Sequence, residues 1–77
     1  MEYNTAIERA CKHAYENADE QTRNSEYGQT YLKAVARARF FELVAENDVD
    51  LSDHSIGSIS VDLLKGISAV REALDGQ

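Results

Sequence analysis

Residues 29–47, QTYLKAVARARFFELVAEN, set the terms for any fold this chain can adopt. The run is long enough for about five turns of helix, and no glycine or proline interrupts it. Its apolar residues do not keep to one stripe. At about 100° per residue, Tyr31, Val35, Ala38 and Ala45 gather on one side, with Ala34 and Phe41 at its edge. Leu32, Ala36 and Leu43 carry the apolar surface the other way, and Phe40 and Val44 reach the far side. A helix apolar nearly all round has to be buried by neighbours. The run is therefore expected to be the central helix of a bundle.

The flanking sequence supplies those neighbours. Thr5 to Glu8 has the form of a capping box, and Ile7, Ala10, Cys11, Ala14, Tyr15 and Ala18 follow at helical spacing. A first helix is expected over about residues 5–22. Ala6, Ala10, Ala14 and Ala18 make a row of small residues that would let a second helix come close. Arg9, Lys12, Glu16, Asp19 and Glu20 form its solvated side. Residues 23–28, RNSEYG, are turn-rich; Ser25 or Thr30 is placed to cap the central helix, and Asn47 to stop it. Residues 48–59, DVDLSDHSIGSI, read as an ordered connection whose Val49, Leu51, Ile56 and Ile59 cover the end of the bundle. A last helix from near Ser58 or Ser60 to Asp75, with Gly76 at its end, follows from Leu63, Ile67, Val70 and Leu74, widened by Leu64 and Val61. Gly66 inside it costs roughly 1 kcal/mol relative to Ala and points to a close crossing. The expectation is one all-α domain over residues 1–77: a compact bundle of three principal helices with an ordered connection before the last.

With 77 residues, such a domain buries only roughly 60% of its unfolded surface, and chains of this size often need a staple or a partner subunit. Cys11 is the only cysteine, so no internal disulfide is available. Cys11, His13 and His54 are the only soft ligands, too few for a structural zinc, which wants four. The start of the chain lacks the basic-then-apolar pattern of a signal peptide, and no window approaches 18 uninterrupted apolar residues. A free thiol without a signal fits a reducing cytoplasm, and no membrane contact is expected.

The formal charge of −6 is unevenly spread. Residues 1–22 carry five acids against two bases, residues 23–46 three against four, and residues 47–77 six against two. Direct nucleic-acid binding calls for a basic patch, so DNA and RNA are disfavoured as partners. An acidic surface instead attracts basic protein surfaces.

No stretch meets the requirements of a chemical site. Asp48, Asp50 and Ser52 match the first, third and fifth positions of a calcium loop, but the sixth is Asp53 where Gly is needed and the twelfth is Ile59 where Glu is needed. His54 among serines is not a triad, which is defined by geometry. Cys11 and His13 point about 200° apart on a helix and cannot act as nucleophile and base. Catalysis, cofactor binding and metal binding are therefore not expected. Of the four tyrosines, Tyr15 and Tyr31 fall on expected core faces, and Tyr3 and Tyr27 lie at helix entrances, open to contacts.

These features favour a non-catalytic interaction module that inhibits, adapts or regulates a protein partner by covering its surface. Glu16, Asp19 and Glu20, with Asp48, Asp50 and Asp53, are the candidate contacts to a basic partner surface. In size and charge the chain is similar to small phage-encoded inhibitors of nucleic-acid machinery. One alternative is an oligomeric structural or assembly protein; the other is a small helix-turn-helix DNA-binding regulator, which the charge disfavours. The chain is also expected to form a homodimer or an obligate complex, through Phe40 and Val44 flanked by Lys33 and Arg37.

Overall fold

The computed structural model describes residues 1–75. They form four helices and, among the described residues, no strand: α1 (Tyr3–Glu16), α2 (Glu20–Arg23), α3 (Gly28–Asn47) and α4 (Ile56–Asp75). Three long helices around a shared apolar core make this a small all-α bundle.

Helix α1 starts two residues before the expected capping box. Glu2 occupies the cap position without a side-chain bond, so Thr5 and Glu8 lie inside the helix. The expected continuation to residue 22 is interrupted at Asn17, whose Nδ2 donates to the His13 carbonyl at 2.7 Å. Asp19 then starts α2, its Oδ1 accepting the Thr22 amide at 2.7 Å. Gly28 opens α3 beneath the end of α2. A Cβ there would run into the Thr22 and Arg23 carbonyl oxygens, so only glycine fits. Neither Ser25 nor Thr30 caps α3; Tyr27 stands at that position.

The stop at Asn47 is observed, but Asp48 takes the left-handed conformation, with φ 55°. The Val49 amide returns to the Val44 carbonyl, closing the helix as a left-handed C-terminal residue usually does. Val49 is thereby buried, and Leu51 and Ile59 pack on the core as expected. Ile56 does not: it is the first residue of α4 and is 68% exposed. Helix α4 begins earlier than expected because Ser55 and Ser58 cap it reciprocally, each backbone amide donating to the other's hydroxyl at 3.0 and 3.1 Å. The end expected at Gly76 lies outside the described residues.

Chain direction follows from the contacts. Tyr3 meets Asp62, Cys11 meets Leu63, and Arg71 reaches the Arg23 carbonyl, so α4 runs parallel to α1. Helix α3 runs antiparallel to both, with Phe40 against Tyr3. The α1–α3 pairing is the most extensive in the molecule. The alanine row explains it: Ala6, Ala10, Ala14 and Ala18 are all buried, and small side chains bring the helix axes together. Gly66 does the same between α4 and α1, since a Cβ there would lie 2.6 Å from Cys11 Sγ.

Candidate functional site

Helix α3 is apolar on two opposite sides, and only one faces the bundle. Gly28, Leu32, Ala36, Phe40 and Leu43 are buried, at the four-and-three spacing of one helix face. Tyr31, Ala34, Ala38, Phe41 and Ala45 keep the same spacing on the opposite face and are exposed. A helix with two long neighbours has an open side. Here that side is also apolar, with Phe41 and Tyr31 set among three alanines.

The structure corrects the expected facing of α3. Tyr31, Ala38 and Ala45 were expected inside and lie outside. Phe40 was expected to form an association surface with Val44. It is instead fully buried, edge-on to the Tyr3 ring at 5.8 Å, and Val44 packs half-buried against the core. On α1 it is Tyr3 that meets the Phe40 ring, and the alanines Ala6, Ala10 and Ala14 that follow are buried in the same core. Lys33 and Arg37 do flank an apolar surface, but its aromatic residue is Phe41, 37% exposed and edge-on to Phe40 at 5.3 Å.

Around Phe41 the surface is concave. One groove of about 450 Å³ is lined by Thr30, Lys33, Ala34, Arg37, Ala38 and Phe41. A second, of about 260 Å³, shares Arg37 and Phe41 and continues over Ile56 and Ile59 to the start of α4. No carboxylate lines either groove, on a chain with 14 acids and 8 bases. Among the described residues neither Lys33 nor Arg37 makes an ion pair, whereas Arg39 on the other edge of the face reaches Glu42 and Glu46 at 3.6 and 3.7 Å.

The two acidic groups lie at opposite ends of the bundle. Glu16, the last residue of α1, and Asp19 and Glu20 just past it are exposed. Asp48, Asp50 and Asp53 are exposed in the connection, which the stacking of Tyr3 on His54, 3.5 Å between ring centres, holds against the other end. Two of the six also hold turns. The Thr22 amide and side chain keep the Asp19 carboxyl below its ordinary pKa, and the Ser52 amide, 2.9 Å from Asp50 Oδ1, does the same for Asp50.

The other side chains considered for chemistry have structural surroundings. Tyr3 is not free for contacts as expected; its hydroxyl donates to Asp62 Oδ2 at 2.6 Å. Burial, then that hydrogen bond and the Asp62 charge, push the Tyr3 hydroxyl well above an ordinary tyrosine pKa. Cys11 is buried, donates to the Leu63 carbonyl at 3.4 Å, and has its pKa raised by burial from 9.0 to about 11. His13, two residues on, is exposed. Among the described residues no three His, Cys, Asp or Glu side chains are grouped to hold a metal ion, and no helix is long and apolar enough to cross a membrane.

The sequence did contain a sign of the outer face. Two helical partners bury about one side of a third, so a second apolar stripe on that third helix must remain open. The chain matches no protein-family model, no curated protein and no solved structure.

Proposed function

We propose that this protein is a non-catalytic interaction module that acts on a protein partner through the outer face of α3. One observation carries the reading: the exposed stripe Tyr31–Ala34–Ala38–Phe41, continued by Ile56, stands opposite the core side of the same helix. An exposed and contiguous apolar surface of this kind marks interaction sites more often than a scatter of single apolar residues does. Aromatic anchors such as Tyr31 and Phe41 are enriched where binding energy concentrates. The acids at both ends would steer and solubilise, acting as inhibitor, adaptor or regulator contacts only where the partner reaches past the helix.

The test is site-specific photo-crosslinking in cells that make the protein. A photoreactive phenylalanine derivative at Tyr31 is expected to give a discrete adduct with another protein, and the same group at Arg9, on the exposed side of α1, is not. Ala38→Glu, which places a carboxylate in the groove, is expected to abolish the adduct. Equal adducts from both positions, or none from Tyr31, would overturn the assignment.

A further inference from the structure

The proposal that the outer face of α3 is the contact leaves its occupant open, and the groove's charge selects one. We infer that it receives an acidic amphipathic helix from a protein partner. The partner's apolar side chains sit between Ala34, Ala38 and Phe41, and its carboxylates, one turn apart, pair with Lys33 and Arg37.

Five observations lead there. The groove volume of about 450 Å³ falls in the range of ligand clefts, roughly 300–1,000 Å³. It is open along the helix, which suits a segment laid lengthwise, as in helix-in-groove recognition. Its charge is opposite to that of the molecule: the lining holds two cations and no carboxylate, while the whole chain is at −6. Lys33 and Arg37 are four residues apart on one edge, so their charges stand one helical turn apart. Lys33 is half-buried, its aliphatic stem able to lie along the apolar surface with its ammonium in water.

A second copy is the poorer occupant. In an antiparallel two-fold contact a surface meets itself, and Lys33 and Arg37 of both copies would share one edge. Of the chain's own exposed acids, Glu42 and Glu46 on the opposite edge of α3 are already engaged by Arg39, and bringing the acids of the bundle ends to the groove requires a head-to-tail contact that does not close. A basic partner would meet two cations.

The test is selection of the whole protein against displayed 18-residue helices. Their apolar stripe is fixed, and their flanking positions are varied among Asp, Glu, Lys, Arg and Gln. Selected peptides are expected to carry Asp or Glu one turn apart. Their affinity, read by fluorescence anisotropy, should fall at least ten-fold with Lys33→Glu plus Arg37→Glu, and should fall as salt rises. Ala38→Glu should abolish binding; circular dichroism checks that both variants are folded. Neutral or basic winners, no winners, or winners that bind both variants as well as wild type would overturn the inference. So would a homodimer by light scattering that Ala38→Glu dissociates, which would put a second copy in the groove. The crosslinking experiment is independent of partner charge. An adduct from Tyr31 alongside charge-indifferent peptides would reject the acidic helix and keep the face.

Discussion

Gly57 and Gly66 lie on the same helix and should answer the same substitution with opposite signs. In a helix Ala is favoured over Gly by roughly 0.5–1 kcal/mol. A methyl at Gly57 meets only Ser55 Oγ at 3.8 Å, so Gly57→Ala is expected to stabilise by about that amount. A methyl at Gly66 would be 2.6 Å from the sulfur of buried Cys11, and overpacking costs about 1–3 kcal/mol. Gly66→Ala should therefore destabilise, and adding Cys11→Ala should recover part of the loss. Urea midpoints of the four proteins settle both signs. Ala14→Leu, in the alanine row, should lose at least about 1 kcal/mol for the same reason. Cys11 also sets an alkaline limit. The fold favours the neutral thiol, so its contribution is complete below pH 9.0 and is lost as the pH climbs through about 11. The urea midpoint of wild type is expected to fall across that window further than that of Cys11→Ala. Equal falls would assign the loss to other groups, Tyr3 first among them.

Among the elements, α1 was the most legible because its apolar residues occupy one face: the expected Ile7, Ala10, Cys11, Ala14 and Tyr15 are the buried ones. Its end was obscured because Ala18 keeps the helical period across the break and is itself buried; the sign of the break was Asp19 three residues before Thr22. Helix α3 was legible in extent and illegible in facing. An all-round apolar helix has no preferred side of its own, and the side that faces inward is set by neighbours such as Tyr3 against Phe40, which no window within α3 contains. The candidate site shared that fate: Lys33 and Arg37 could be found by spacing, and their apolar companions could not be assigned before the facing was known. The start of α4 was obscured by three serines near it, of which Ser55 and Ser58 form the cap. Ser55→Ala is expected to cost about 1 kcal/mol, measurable as a lower thermal midpoint, while Ser60→Ala should have little effect on the cap.

In the whole molecule, measuring 36 × 23 × 18 Å, charge is partitioned by place. Six exposed acids cluster at the two ends, and the grooves around Phe41 are edged by bases and lined by no carboxylate. This bears on how the acids can be tested. Reversing Asp19 or Asp50 also removes a turn-holding acceptor, so an electrostatic effect would be mixed with local unfolding. Glu16→Lys with Glu20→Lys, and Asp53→Lys alone, are the cleaner probes. With a partner in hand they are expected to change the association rate with little change in dissociation. If the complex forms as fast as with wild type, the acids serve solubility alone.

The crossing of α1 and α4 places the single thiol of the chain where no reagent in solution can touch it. That sulfur is therefore a clock. A thiol-specific dye can label Cys11 only while the two helices are apart, so the labelling rate reads the population of opened molecules, one at a time and without denaturant. Ala14→Leu should hasten the clock and Gly57→Ala slow it. A bound helix on the far side of α3 should slow it too, since any ligand that prefers the folded state makes opening rarer, although it lies across the bundle from the atom being watched.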